Sequence, residues 1–331
     1  MINTLKKMLP VAPSISGREQ GVRKVIAEMM QPLVDEMKVD AMGNLICLKK
    51  GSAAAPRRVM LCAHMDEIGF MVNFIEDNGY LRVAPIGGIH YVAAVYTEVV
   101  FENGVRGVFV PQADASAKDG YKGDNCYIDI GAASKKEAER RVKIGDCCAQ
   151  MPHVTRLTAN RIVGRPLDDR IGCACLYEIA KVLTAPADDL YYVFSVQEEV
   201  GCRGAKTAAA AVEADLALIY DVTATGDEQG AKPMAVKMGE GAAIKIKDSS
   251  VICDHTLVDE LLELAKAQKI AAQCEILTFG GTDTSAVQMY GLGCRAGALS
   301  IPTRYIHSGV EMIDMRDVKS TVDLTVAYLS R

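Results

Sequence analysis

The sequence predicts an α/β protein with a mixed, mostly parallel β-sheet covered by helices and interrupted by an inserted β domain. In residues 1–69 and 161–331, strand-like apolar runs alternate with segments of helical periodicity, which is typical of parallel sheets with helical crossovers. Residues 70–160 instead contain short β-branched runs separated by Gly-rich and Asn-Gly turns, which indicate hairpins. We therefore predict one α/β domain from the two outer segments and an inserted β domain over 70–160.

The first 69 residues are predicted to contain one helix and two strands. The capping-box spacing of Ser16 and Glu19, with helical periodicity up to Pro32, predicts a first helix over about 17–31. The second strand-like run is apolar throughout, as expected for a strand covered on both faces. The two strands are expected at 43–49 and 59–63.

After residue 161 the alternation of strands and helices returns. The lengths and periodicities fit a sheet whose strands are connected by helices on its faces. The helices are expected at 171–183, 204–212, 256–268, 283–290 and 315–329, and the strands at 190–196, 215–220, 273–278 and 294–300.

The composition argues against several classes of function. The chain has 331 residues, of which 24% are charged, and a net charge of −5, so it lacks the basic surface that nucleic acid or an anionic membrane attracts. No apolar run reaches the length of a membrane span, and the N-terminus has no secretory pattern. The 11 cysteines include no CxxC pair, which indicates buried thiols in a reducing cytoplasm rather than disulfides or a cysteine zinc site.

Imidazoles and carboxylates collect where the predicted strands end, at the sheet edge where α/β proteins bind their ligands. His64 and Asp66 follow the strand at 59–63, and side chains two residues apart in an extended segment point the same way. This pairing suits a metal-binding imidazole that a carboxylate orients. The other candidates are Glu198, Glu199, Asp221 and His307 after later strands, and Asp168 on the loop before the helix at 171–183.

Nitrogen and oxygen ligands without a thiolate suit zinc, cobalt or manganese in a catalytic role, and a shared carboxylate would create a two-metal site. Glu198 and Glu199 diverge as they leave a strand, so one can bind a metal while the other acts as general base. A glycosidase is disfavoured because adjacent glutamates can hardly flank a sugar bond. A serine hydrolase would need a G-x-S-x-G elbow, which is absent, and most of the cysteines are interpreted as packing residues.

Six short motifs occur in a fixed order along the chain. They are His64-x-Asp66, Leu167-Asp168-Asp169-Arg170, Gln197-Glu198-Glu199-Val200-Gly201, Tyr220-Asp221-Val222, Gly280-Gly281-Thr282-Asp283 and Tyr305-Ile306-His307-Ser308. With the opening stretch Ala12 to Glu19, they resemble the glutamyl and tetrahedral aminopeptidases, which are dinuclear metallo-aminopeptidases with an inserted PDZ-like β domain. The resemblance covers essentially the whole chain. By residues alone, Gly280 to Asp283 lacks the frame of a phosphate loop and is interpreted as a tight turn near the site.

The resemblance implies the roles of the metal ligands, which the residues alone left open. His64 and Asp221 would hold one divalent metal ion. Glu199 and His307 would hold the second, and Asp168 would bridge the two. One departure from the family pattern is Gly309, which stands where relatives commonly have proline.

The resemblance further implies that Glu198 is the general base and that Asp66 orients His64. The predicted function is hydrolysis of the N-terminal residue of short peptides by a water that two metal ions, zinc or cobalt before manganese, activate. Two alternatives stay open: a deacylase or deblocking enzyme with the same metals, and a noncatalytic assembly protein with a relic site.

Self-assembly is also implied, as a dimer-based homo-oligomer that in relatives often reaches a tetrahedral dodecamer. The β insertion is the expected dimerisation platform. Its apolar run 91–96 fits either an interface or a core strand of the insertion. The insertion keeps the family's double glycine at Gly87 and Gly88.

Overall fold

The structure is a computed structural model that describes residues 1–11, 13–116, 118 and 120–331. Ala12, the first residue of the N-terminal stretch named above, lies outside the described residues. The helices are α1 (Ile2–Met8), α2 (Gln20–Met30), α3 (Tyr91–Ala94), α4 (Lys135–Glu139), α5 (Arg170–Val182), α6 (Arg203–Val212), α7 (His255–Gln268), α8 (Asp283–Gln288) and α9 (Met315–Leu329).

The strands fall into one large sheet and one barrel. They are β1 (Glu36–Val39), β2 (Leu45–Lys49), β3 (Arg58–His64), β4 (Gly69–Ile75), β5 (Leu81–Ile86), β6 (Thr97–Phe101), β7 (Arg106–Pro111), β8 (Cys126–Asp129), β9 (Cys147–Gln150), β10 (His153–Arg156), β11 (Arg161–Arg165), β12 (Asp189–Ser195), β13 (Leu216–Thr223), β14 (Ala242–Lys247), β15 (Ala272–Ile276), β16 (Arg295–Arg304) and β17 (Glu311–Asp314).

The large sheet is mixed, as predicted, but the expectation that it is mostly parallel was wrong. Its main path runs β1-β2-β12-β3-β13-β16-β17-β11-β10, with β14 joined to β16 and β15 joined to β14. Only β12, β3, β13 and β16 along the path pair in parallel, and the outer strands pair antiparallel. The outer pairs β1-β2 and β10-β11 are joined by short hairpin connections, which cannot make the crossover that parallel pairing needs.

The parallel centre of the sheet is buried on both faces. On one face, Leu61 belongs to a core cluster that includes residues of α2, α5, α7 and α9, and on the other Met60 and Cys62 belong to a cluster with residues of α6 and α8. Neighbouring residues of a strand point to opposite faces, so β3 contributes to both layers with a continuous apolar run. The polar ends of these strands therefore meet at one edge of a sheet whose centre is buried on both faces.

The inserted β region is a closed six-stranded barrel of β4, β5, β8, β7, β6 and β9, with a core that includes Phe70, Phe101 and Phe109. A PDZ-like form of this region stays a prediction. The run 91–96 does not form the core strand considered above, because Tyr91–Ala94 is the one-turn helix α3 and Val92 is 60% exposed. The barrel strands end at Gln150, and β10 already belongs to the large sheet.

Two local expectations near the N-terminus differ from the structure. Helix α2 begins at Gln20 without a side-chain cap, so the predicted capping box does not form. The hydroxyl of Ser16 instead donates to Asp66 Oδ2 at 2.7 Å, and Glu19 accepts from the backbone N–H of Gln197 at 3.1 Å. Both side chains therefore bond to residues at the sheet edge instead of forming a capping box. Among the described residues, none of the helices is long and apolar enough to cross a bilayer.

Candidate metal and catalytic site

All seven predicted site residues lie at one edge of the sheet, where β3, β12 and β13 end beside the loop before α5. Asp221 is inside β13, which continues to Thr223, rather than after the end of its strand. The structure therefore brings together His64, Asp66, Asp168, Glu198, Glu199, Asp221 and His307.

Asp168 lies between the two imidazoles. Its Oδ1 is 3.1 Å from Nε2 of His64, and its Oδ2 is 3.3 Å from Nε2 of His307. Asp168 is thus shared by two groups whose ligand atoms all lie within 4.8 Å of one another: one with His64 and Asp221, the other with Glu199 and His307. This is the arrangement expected when one carboxylate bridges two metal ions.

Each imidazole is held by a backbone contact of its Nδ1 atom, which points away from the cluster. Nδ1 of His64 lies 3.1 Å from the carbonyl oxygen of Asp66, and Nδ1 of His307 lies 2.8 Å from the carbonyl oxygen of Gly88 in the barrel. A carbonyl only accepts, so both Nδ1 atoms donate and both Nε2 atoms face the cluster. A Cβ at Gly88 would lie 3.1 Å from the His307 ring, so only glycine allows this close approach without a shift.

The Asp66 side chain contacts the backbone of both glutamates as well as the imidazole of His64. Its Oδ1 is 3.5 Å from Nδ1 of that imidazole, but it accepts a shorter bond from the backbone N–H of Glu198 at 2.9 Å. Oδ2 accepts from Glu199 N–H at 3.2 Å and from the Ser16 hydroxyl. The carboxylate therefore fixes the turn that carries both glutamates, a contact that residue spacing could not reveal.

The two glutamates take different positions. Oε2 of Glu199 lies 3.2 Å from Nε2 of His307, inside the second group. Oε2 of Glu198 lies 4.0 Å from Nε2 of His64, outside both groups that share Asp168. Glu198 therefore faces the same centre without belonging to either set of candidate ligands.

The pKa shifts show that both imidazoles lie among excess negative charge. Burial lowers the pKa of His64, but Asp168 and the other carboxylates outweigh burial and hold the pKa well above its ordinary value. Burial also lowers the pKa of His307, yet hydrogen bonds to Asp168 and Glu199 raise it to about 11. The same bonds to the two imidazoles lower the pKa of Asp168, against the effect of burial.

The other carboxyl groups of the site have raised pKa values, because burial and neighbouring acids disfavour their charged forms. Burial is the main cause that raises the pKa values of Glu198, Glu199 and Asp221, and neighbouring carboxylates add to it. Within the described residues, the ion-pair partners of these acids are the two histidines. The cluster is therefore short of positive charge.

The cluster opens into a cavity of about 880 Å³. Gly280, Gly281 and Thr282 line it, so the predicted tight turn does lie at the site. The turn also leads to Asp283, whose Oδ2 accepts from the Ser195 hydroxyl at 2.5 Å. The sequence motif contains Asp283 but did not predict it as a site residue, because it stands at the start of α8 rather than at the end of a strand.

Glu311 is a second residue that the sequence did not reveal. Its Oε2 accepts from the backbone N–H groups of Leu167 and Asp168, at 2.6 Å and 3.1 Å, and its Oε1 accepts from His307 N–H at 3.2 Å. One buried carboxylate therefore positions two of the candidate ligands. No local pattern around Glu311 signals its contacts with Leu167 and Asp168, which join segments more than 140 residues apart.

Known proteins match this chain over nearly its full length. Residues 43–324 match the family described as M42 glutamyl aminopeptidase. The lysyl aminopeptidase of Pyrococcus furiosus is 37% identical over 337 residues, which cover 98% of this chain and 96% of that protein.

Solved structures agree with this family match. An aminopeptidase from Desulfurococcus kamchatkensis superposes with a TM-score of 0.95 at 35% identity, covering 99% of this chain and 95% of the other. The TET1 peptidase of Pyrococcus horikoshii, described as able to assemble into a tetrahedron or a large octahedral shell, gives a TM-score of 0.88 at 35% identity, with 99% and 98% of the two chains covered.

Proposed function

The chain belongs to the M42 glutamyl aminopeptidase family and is a metal-dependent aminopeptidase, and from this premise we propose how its residues act. The substrate is a short peptide, and the reaction is hydrolysis of its first peptide bond. The observation that carries the proposal is the position of Asp168, with one carboxylate oxygen toward each imidazole.

Two divalent cations fit the residues present. His64, Asp168 and Asp221 would hold one ion, and Asp168, Glu199 and His307 would hold the other. These oxygen and nitrogen donors suit zinc or cobalt first and manganese next. The carboxylates around His64 and His307 raise the pKa values of both imidazoles, and two such ions would balance this negative charge.

When bound, the two ions would supply Lewis acidity that lowers the pKa of a water and polarises the scissile carbonyl. Glu198 takes a proton from the attacking water and later gives one to the leaving amine. Asp66 holds the backbone of Glu198 and Glu199, which keeps these two roles separate. Gly88 holds the His307 ring through Nδ1, and Glu311 holds the His307 backbone through its N–H.

The experiment is a metal add-back assay on chelated protein. Zinc, cobalt or manganese should each be tested with a panel of aminoacyl-p-nitroanilides and with matched free-amine and N-acylated peptides. Metal-dependent release of the N-terminal residue from free-amine peptides is the expected result. Faster cleavage of N-acylated peptides would instead favour a deacylase, and no metal-dependent hydrolysis of either kind would favour an assembly protein.

The barrel region is the proposed surface for self-assembly. In this proposal, residues 1–69 and 161–331 form the catalytic domain, and residues 70–160 are an inserted dimerisation domain of a homo-oligomer that reaches a dodecamer. The support is that Val92 and Tyr96 on the barrel are 60% and 73% exposed, and that TET relatives assemble into shells. The 11 free cysteines support a cytoplasmic location.

Measurement of mass in solution tests the assembly proposal. Wild type should be an oligomer, and lysine at both Val92 and Tyr96 should reduce its mass. Val39→Lys on β1, where the valine is 52% exposed, is the matched control and should leave the mass unchanged. An oligomer that survives the double substitution would overturn the role of this surface.

A further inference from the structure

A third group of potential metal ligands lies beside the proposed base. Glu198, Cys202 and Asp283 each offer one ligand atom, and these atoms lie within 4.8 Å of one another. A tight turn places the first two together, because the backbone N–H of Cys202 donates to the carbonyl oxygen of Glu198 at 2.9 Å. The Cys202 thiol also donates to Oε1 of Glu198 at 3.3 Å.

Asp283 carries an unused buried oxygen at this place. The residue is 2% exposed, and Oδ1 has no hydrogen-bond partner among the described residues. Its other oxygen, Oδ2, accepts from the Ser195 hydroxyl at 2.5 Å and from the Cys62 thiol at 3.7 Å. The carboxylate is thus held firmly while one oxygen keeps its full capacity to bind, which is unusual for a buried polar atom.

The group is within reach of an ion from the cavity. Glu198 and Cys202 line the same cavity of about 880 Å³ as the candidate catalytic ligands, and Cys202 is only partly buried. Zinc binds sulfur at about 2.3 Å and carboxylate oxygen at about 2.0–2.2 Å, so ligand atoms around one tetrahedral ion are roughly 3.5 Å apart. The 3.3 Å separation of the thiol sulfur and Oε1 fits this geometry.

We propose that Glu198, Cys202 and Asp283 form a third, inhibitory cation site that takes a thiophilic divalent ion such as Zn²⁺ or Cd²⁺. Binding moves the thiol proton of Cys202 to solvent and occupies the carboxylate of Glu198, which then no longer accepts a proton from water. The site requires loss of this proton and has three protein ligands, so it should fill only when the ion is in excess. The inhibitory consequence rests on the proposed role of Glu198 as general base.

The test is titration of cobalt-loaded enzyme with Zn²⁺ and, separately, Cd²⁺. Hydrolysis should fall as the ion is added, and the ultraviolet absorption of a cadmium–thiolate bond should rise to one equivalent per chain. In Cys202→Ser the absorption should be lost, and the concentration for half inhibition, relative to that variant's own starting rate, should rise at least roughly tenfold. Asp283→Asn should also weaken inhibition.

Cys274→Ser is the matched control, because Cys274 is an exposed free thiol on β15. It should leave both the absorption and the inhibition as in wild type. Equal inhibition of wild type and Cys202→Ser would overturn the proposal, as would cadmium–thiolate absorption that survives in Cys202→Ser. An enzyme with metal-dependent peptidase activity but no such inhibition would reject only the third site, whereas absence of that activity would reject the proposed function itself.

Discussion

Two neighbouring clusters of buried charged residues share the loop 165–170 and differ in how their negative charge is balanced. The arginine cluster consists of Glu67, Arg165, Arg170 and Glu311, with ion-pair distances of 3.6 to 4.0 Å. The carboxylate cluster consists of His64, Asp168, Glu198, Glu199, Asp221 and His307. The first contains two acids and two permanent cations, and the second contains four acids and two histidines.

The difference separates structural charge from functional charge. Arg165 donates to the carbonyl oxygens of Ser308 and Ile68, so its cluster connects the loop to the His307 segment and to the residue before β4. Its two acids are balanced by its two arginines. The carboxylate cluster lacks such cations in the described chain, and burying acids without compensation is unfavourable. Excess negative charge at a rigid sheet edge is thus the physical signature of a site built for metal ions.

Breaking the arginine cluster should have the largest effect on stability. Arg165→Met leaves Glu311 and Glu67 buried with less positive charge, which typically costs about 3–5 kcal/mol in the free energy of unfolding. Urea unfolding of the chelated protein measures it. Arg58→Met is the matched control, because the Arg58–Glu213 pair is exposed, and it should cost less than about 1 kcal/mol. Equal losses for the two variants would contradict the structural role of the cluster.

Glu198→Gln should damage catalysis without damaging the metal site. The amide cannot accept the proton of water, so kcat should fall by roughly 10²-fold or more. Metal content should stay at the wild-type level, because Glu198 lies outside both groups that share Asp168. His307→Ala should instead lose metal. Near-wild-type turnover of metal-loaded Glu198→Gln would show that another group is the base.

Asp221→Asn sharpens the comparison because it should stabilise the metal-free protein. Removal of one negative charge from an uncompensated cluster should raise the free energy of unfolding of the chelated chain by on the order of 1 kcal/mol. The gain in Tm on adding zinc should shrink. Asp259→Asn on the exposed side of α7 serves as control and should change neither quantity. A destabilised chelated Asp221→Asn would mean that the acids of the cluster are already neutralised.

The smallest effect is expected at Glu178, a partly buried acid whose negative charge is balanced by neighbouring donors. Burial opposes the shift, but bonds from Lys181, Thr4 and the N-terminal ammonium lower the pKa of Glu178 from 4.5 to about 2. Its contribution is therefore present above pH 4.5 and is lost as the pH falls toward 2. Glu178→Gln should cost about 1 kcal/mol at neutral pH, after allowance for solvent screening, and nothing at about pH 2.

Thermal unfolding of wild type and of Glu178→Gln, from about pH 2 to neutral pH, measures this difference in stability. Glu263→Gln, at an exposed position of α7, is the control and should follow wild type throughout. A Glu178→Gln variant that loses the same stability at every pH would show that the pKa shift is not the cause.

The sequence predicted the centre of the fold better than its margins. The helix α9 and the strand β3 were predicted within one residue, because their apolar patterns are long or continuous. The strands β1, β14 and β17 were not predicted, since short or half-polar segments form strands only through their neighbours in the sheet. The barrel was predicted only as β hairpins, because closure depends on long-range pairing such as β4 with β9.

The same distinction holds at the site. His64 and Asp66 were identified because they lie at the end of a recognisable strand, and the contact between the two is local. Glu311 was not identified, and Asp283 was named only as part of a turn motif, because their partners Asp168 and Ser195 are distant in sequence and come together only when the sheet forms. The family resemblance added the separate roles of the glutamates, which spacing alone left open.

The most direct test of the two-cluster account is metal stoichiometry measured together with activity. Chelated wild-type protein is titrated with zinc or cobalt, and bound metal per chain and peptide hydrolysis are followed in the same samples. The account predicts that bound metal reaches two ions per chain with activity rising over that range, and that Asp168→Asn, which alters the shared carboxylate, loses both. Full activity in chelated protein, or with no bound metal, would contradict it.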